Sequence, residues 1–336
     1  MDPVEAVLSG NVRDLAILIS KIEDGDPEGW RTLQLLYSRT GRAAVIGLTG
    51  PPGAGKSTLI NQMIQVYISQ GYKVAVLSVD PTSPFTGGGV LGDRVRITQI
   101  NPNLFVRSLA TRGQLGGLSH TAGGIIKLLD AAGYQRIIVE TVGTGQAEVA
   151  IKYYAHTVIV LAIPNMGDDI QMMKAGVLEI GDIYVVNKAD LPGANQLEAE
   201  LQDMLCMRGD MNLGWPPPVI CTVAREGRGI ESLIDQVEKH RNFLMLEGRL
   251  SALRRKTAEF ELKRGLKNLL WKRAIRTLNR SGVWREVCEL VAQGRIDPWL
   301  AVQQLCEELS LTGMEKDRLP ITQSRCQGIE TDGYET

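Results

Sequence analysis

The 336-residue chain reads as an α/β protein: a doubly wound, mostly parallel sheet with helices before it and a helical arm after it. Three observations carry that reading. Short apolar, β-branched runs follow one another from residue 44 onward, most of them separated by stretches long enough for a crossover helix. Those runs show little polar alternation, as strands covered on both faces require. Glycine occupies 36 positions, about 11% against a typical ~7%, so the backbone must turn tightly or approach something closely in several places.

Taken in order, the first 42 residues read as helices. Asp2-Pro3 offers an N-cap followed by proline at the first helical position, and Gly10 closes that short helix. Leu15, Ile17, Leu18 and Ile22 recur at roughly helical spacing, and Glu28 to Ser38 is expected to place Trp30, Leu33 and Leu36 inward. Strands are expected at Ala44–Leu48, Val74–Val79, Leu104–Val106, Arg136–Val139, Val158–Ile163, Ile183–Val186 and Val219–Thr222, within a domain of about 43–246.

From Glu247 to Arg280 the sequence turns helical and basic, with eleven Lys/Arg against three Asp/Glu. Leu262, Leu266, Leu270, Ala274 and Leu278 form an apolar stripe at i, i+4 spacing, which fits helix-to-helix burial with a solvated basic face. A further capped helix starts at Asp297-Pro298, and residues 311–336 show no periodicity and read as a loose tail. The expected organisation is therefore a helical segment 1–42, the sheet domain 43–246, an arm 247–310 and the tail.

Composition excludes several classes. With 37 basic and 38 acidic side chains the net charge is −1, which gives no whole-chain field for nucleic acid or an anionic membrane. The five cysteines (Cys206, Cys221, Cys288, Cys306, Cys326) are widely spaced with no Cys-x-x-Cys pair, as free thiols in a reducing cytoplasm would be. The amino terminus shows neither signal nor transit character, and the apolar runs are too short to span a bilayer.

The chemistry is concentrated in loops after strands. Gly50-Pro51-Pro52-Gly53-Ala54-Gly55-Lys56-Ser57 matches G-x-x-x-x-G-K-[ST], directly after one strand and before the helical stretch beginning at Thr58. In a phosphate loop of this kind the backbone amides wrap the phosphates, Lys56 reaches the β/γ-phosphates and the Ser57 hydroxyl ligates Mg²⁺. Asn187-Lys188-Ala189-Asp190 follows a later strand at the same sheet edge and resembles the guanine-reading N-K-x-D motif, in which the carboxylate accepts from donors that adenine lacks. Val223-Ala224-Arg225 stands where such proteins commonly place Ser-Ala. Valine there loses the loop-rigidifying hydroxyl, while a backbone contact to the base can remain.

Three carboxylates, Asp80, Asp93 and Glu140, fall at or near strand ends on that same edge and are candidates for the Mg²⁺ and hydrolysis site. Glu140-Thr141-Val142-Gly143 stands where Asp-x-x-Gly is usual, and Gln146 is a candidate for orienting the attacking water. No arginine finger is assignable, although Arg94, Arg107 and Arg112 are expected in loops.

Together Gly50–Thr58, Val79–Pro84, Leu91–Arg94, Ala110–Gly113, Glu140–Glu148, Gly167–Gln171 and Asn187–Asp190 resemble the MeaB/ArgK family of metallochaperone-type P-loop GTPases, over roughly residues 1–310. The resemblance implies a GTP-hydrolysing homodimer, joined through its C-terminal arm, that gates adenosylcobalamin loading and protects or reactivates an acyl-CoA mutase such as methylmalonyl-CoA mutase. It also implies that Ser57, Asp80, Asp93 and Glu140 form the metal cluster, that Asp80–Arg94 and Glu140–Glu148 are switches, and that Asn165–Lys174 senses the partner. Asp169 departs from the glutamate often found there, and Val223 from the serine. Two alternatives stand beside this reading. A nickel-delivery GTPase needs imidazole or thiolate ligands at the switches, whereas His120, His156 and His240 are dispersed. A protein kinase of a transport system needs an acceptor for the γ-phosphate.

Overall fold

A computed structural model describes residues 2–80, 101–110, 120–141, 149–164, 176, 179–207, 214–246 and 248–311. The described chain opens with three helices, α1 (Pro3–Leu8), α2 (Val12–Asp24) and α3 (Pro27–Leu36). Each begins on a side-chain cap: Asp2 accepts from the Val4 amide, Asn11 from Arg13 and Asp14, and Asp26 from Glu28. Such caps satisfy amides that the helix itself leaves without acceptors. In α2, Leu15, Leu18, Ile19 and Ile22 are buried, while Ile17 turns out to solvent. One hundred degrees of rotation per residue puts Ile19, not Ile17, on the face that Leu15 and Ile22 share.

The sheet follows with its crossover helices: β1 (Ala44–Thr49), α4 (Lys56–Ser69), β2 (Val74–Asp80), β3 (Leu104–Ala110), α5 (His120–Ala131), β4 (Arg136–Thr141), β5 (Thr157–Ala162), β6 (Ile183–Asn187), α6 (Ala194–Met207), β7 (Val219–Thr222) and α7 (Ile230–Met245). The strand order is β3-β2-β4-β1-β5-β6-β7, parallel at every pairing. β3 is longer than its apolar run suggested, because all seven of its residues pair in register with β2 and carry it through Arg107 and Ser108.

Both faces of the sheet are covered. On one side Val45, Ala75, Ile137 and Val160 pack with residues of α2, α3, α5 and α6. On the other, Ile46, Leu48, Val76, Ile138 and Ile159 pack with Leu59, Ile60, Met63 and Ile64 of α4 and Leu233, Ile234 and Val237 of α7. Alternate residues of one strand thus enter two separate cores, which is why the strands read as continuous apolar runs. The winding reverses at β1, between β4 and β5. The loop after β1 therefore opens at the carboxyl edge of the sheet where ligands of such folds bind.

The chain divides into two compact units, Met1–Leu262 and Lys263–Thr336. The long α8 (Arg249–Ser281) runs from the first into the second, followed by α9 (Val283–Ala292) and α10 (Pro298–Leu311). Within the first unit, Phe260 of α8 stacks on Tyr153 at 3.9 Å between ring centres, and Lys127 pairs with Glu261. The second unit has a small core of its own around Leu278, Val287, Ala301 and Leu305. Of the predicted stripe, Leu278 is buried, whereas Leu262, Leu266 and Leu270 are exposed.

Candidate functional site

After Thr49 the chain turns through Gly50–Gly55 into α4. Gly50 and Gly55 have φ of 145° and 88°, backbone that favours glycine. Space adds a second constraint: a Cβ on Gly50 would stand 2.6 Å from the Leu161 carbonyl oxygen, and one on Gly55 2.5 Å from Asn187 Nδ2. Within the loop the Ala54 amide donates to the Pro51 carbonyl at 3.2 Å. Pro51 and Ala54 are buried, whereas Pro52, Gly53 and Thr58 face solvent. Lys56, the first residue of α4, is buried, with Nζ donating to the carbonyls of Gly50 at 2.7 Å and Pro51 at 3.0 Å. A buried ammonium under a helix amino terminus makes a strongly anion-attracting pocket.

Two of the proposed metal residues are brought together here. The Ser57 hydroxyl donates to Glu140 Oε1 at 3.2 Å. Ser78, the register partner of Glu140 on β2, donates to Oε2 at 3.4 Å. The next residue of β4, Thr141, donates to the Thr49 hydroxyl at 3.0 Å, and both threonines are fully buried. That bond ties the strand entering the phosphate loop to the strand carrying the carboxylate. A hydroxyl and a carboxylate are hard oxygen donors, so Ser57 and Glu140 fit a Mg²⁺ ion that takes its remaining ligands from phosphates and water. Asp80 ends β2, and its side chain lies outside the described residues, as do Asp93, Gly143, Gln146, Arg94 and Arg112. Arg107 sits within β3 rather than a loop, donating to Ser20 at 2.8 Å and paired with Glu23 at 2.6 Å.

The N-K-x-D segment closes the site from the other side. Asn187, the last residue of β6, is buried; its Nδ2 donates to the Ala54 carbonyl at 2.7 Å. Its Oδ1 accepts from the Thr222 hydroxyl and the Ala224 amide, both at 3.1 Å. One carboxamide therefore links three loops. Lys188 has φ 57°, the one positive value outside glycine among the described residues. The Ala189 amide holds that turn to the Thr222 carbonyl at 3.0 Å, leaving Asp190 exposed beyond it. Val223 and Ala224 are buried and Arg225 is exposed. The hydroxyl that valine cannot supply at 223 comes one residue earlier, from Thr222. The hydroxyls of Thr49, Ser78, Thr141 and Thr222 have no assigned role in the sequence motifs; a hydroxyl near the carboxyl end of an aliphatic strand is the sequence signal that marks them.

The described histidines lie away from this edge. His156 precedes β5, and its Nδ1 accepts from the Val45 amide at 3.1 Å. His240 on α7 shares a hydrogen bond with the Thr157 hydroxyl at 2.9 Å. Burial pushes both down to about 4; for His156 the positive Arg254 and Arg241 add to that, and for His240 the neighbouring His156. The side chain of His120 is outside the described residues. Among the described residues no three His, Cys, Asp or Glu side chains gather as metal ligands, Cys206, Cys221, Cys288 and Cys306 are free thiols, and no helix is long and apolar enough to cross a membrane.

Over residues 15–279 the chain matches the family described as methylmalonyl-CoA mutase-associated GTPase MeaB. A Pyrococcus abyssi protein named as a GTPase is 43% identical over 310 residues, covering 91% of this chain and 95% of that one. The GTPase ArgK of Escherichia coli is 30% identical over 317 residues, with 91% and 95% covered. Among solved structures, a LAO/AO transport system kinase superposes with a TM-score of 0.68 at 25% identity, covering 92% of this chain and 97% of the other.

Proposed function

The chain belongs to the MeaB family of methylmalonyl-CoA mutase-associated GTPases, and from that premise we infer that it is a Mg²⁺-dependent GTP switch serving an adenosylcobalamin-dependent acyl-CoA mutase in the cytoplasm. One observation supports this reading most directly: Ser57 and Glu140 meet beneath the phosphate loop, while Asn187 ties that loop to the N-K-x-D turn. Lys56 and the loop amides hold the phosphates and neutralise charge as it develops on the transferred group. Ser57 and Glu140, joined by Asp80 and Asp93, hold the ion, which when bound supplies further positive charge to the phosphate oxygens. Asp190 selects guanine and Gln146 orients the attacking water.

In this reading partner contact raises a slow intrinsic rate by ordering the residues around the γ-phosphate. The GTP and GDP states gate cofactor loading and protect or reactivate the mutase. Two copies join through the exposed leucine face of α8.

The test is GTP turnover with and without a cobalamin-dependent mutase from the same cell. Acceleration on adding the mutase is expected; a rate indifferent to every such mutase would remove the partner assignment. With γ-labelled GTP the same assay separates hydrolase from kinase. Label is expected in free phosphate, and label on protein would favour phosphoryl transfer.

A further inference from the structure

The opposite edge of the sheet carries a second constellation that the GTPase reading leaves unused. There the segment entering β1 meets the end of α7 and the start of α8, all within the first compact unit, around a small open cavity. Its wall includes Arg42, His156, Arg241 and Arg254, backed by Leu244 and Leu250, and among the described residues no acidic side chain lines it.

Two described carboxylates near it are already engaged. Glu238 is shared between Arg241 at 3.3 Å and Arg136 at 2.9 Å. Asp130 accepts the backbone amides of Gly41, Arg42 and Ala43. Arg254 donates to the neutral Gly41 carbonyl, and among the described residues neither it nor Arg42 makes an ion pair. A guanidinium has five N–H donors, so one carbonyl leaves most of that capacity unused.

His156 adds a donor of fixed sense. Because the Val45 amide donates to Nδ1, the neutral ring carries its proton on Nε2. The two guanidiniums help to keep that ring uncharged. The cavity has room for about two waters, the scale of a tetrahedral oxyanion rather than of an organic cofactor.

We propose that this cavity is a binding site for a phosphate-class oxyanion, held by the guanidiniums of Arg42, Arg241 and Arg254 and by the Nε2–H of His156. Arginine forks match the oxygens of such an anion in pairs, and the apolar backing weakens competition from water. The occupant fastens the first turns of α8 to the entry of β1 and the end of α7. It is separate from the nucleotide, which takes the carboxyl edge.

The experiment uses the full chain saturated with Mg²⁺ and a non-hydrolysable GTP analogue, so that the phosphate loop is filled. Equilibrium dialysis with radiolabelled inorganic phosphate, at ionic strength held constant with chloride, should find one equivalent bound per chain. Arg42→Gln, an exposed position, should weaken that binding about tenfold with the unfolding midpoint in chloride unchanged, and Arg254→Gln should do at least as much. Absence of stoichiometric binding overturns the proposal, as does wild-type affinity in both variants, which would mean an adventitious ion bound elsewhere. Competition by glycerol 2-phosphate identifies the ligand as a phosphate group on a larger molecule; failure to compete identifies the free ion. Either result supports the site.

Discussion

Helices α4 and α8 use the same aliphatic residues to opposite ends. In α4, Leu59, Ile60, Met63 and Ile64 are completely buried against the sheet. In α8 beyond Leu262, Leu266, Leu269, Leu270 and Trp271 remain 46–70% exposed. The difference lies in what each helix has to lean on. α4 follows β1 in a crossover and is delivered onto a ready apolar face, whereas among the described residues of the second unit the buried core is the small one around Leu278. An apolar stripe therefore identifies a face that seeks a partner, and the surrounding topology decides whether the same chain provides one.

The largest expected effect falls on α4. Leu59→Ala should cost about 3 kcal/mol of unfolding free energy in denaturant titrations; a change below 0.5 kcal/mol would mean that this core is far looser than its burial implies. Lys56→Ala, on the same helix, should weaken GTP binding by roughly 100-fold, about 2.7 kcal/mol, with the unfolding midpoint of the nucleotide-free protein little changed. Calorimetric titration would show this, and retention of tight binding would exclude Lys56 as the phosphate ligand.

Acid supplies the next test of the same packed unit. His156 and His240 have folded pKa values of about 4, below the ordinary 6.5, so the unfolded chain binds protons first as pH falls. Their contribution is present in full above about 6.5 and lost as pH drops toward 4, a change of roughly 2.5 kcal/mol for each ring by pH 4.5. Unfolding free energies between pH 7.5 and 4.5 should show that slope, and His240→Asn should flatten part of it. Asp190→Asn should reduce the preference for GTP over ATP by about tenfold, measured as a ratio of dissociation constants; an unchanged ratio would place base recognition elsewhere. The smallest effect belongs to α8. Leu266→Ala should shift unfolding by less than about 0.5 kcal/mol in dilute protein yet weaken self-association in sedimentation, and a large loss of stability without any change in association would refute the arm reading.

Much of this was legible in one dimension. The candidate phosphate loop and N-K-x-D turn are contiguous, so they are spelled out in neighbouring letters, and the strands announce themselves because both faces are buried. What stayed hidden depends on register. Ser78 acquires meaning only because β2 pairs with β4 so that it lies beside Glu140. Thr49 and Thr141 matter only as a pair across β1 and β4. Arg107 interrupts an apolar run and suggests a loop, yet the strand continues through it because Glu23 of α2 receives its charge.

The carboxamide of Asn187 sets a limit on how this protein can change. Any side chain at Gly55 would collide with it, and any residue at 187 without its donor would leave the Ala54 carbonyl unserved. If the two loops hold phosphate and base as proposed, that one carboxamide couples them, so a change at either loop calls for a matching change at the other. A designer who wished to convert the chain to another nucleotide would have to rewrite both loops at once, or work outward from Asp190, the exposed member of the motif that this linkage leaves at liberty.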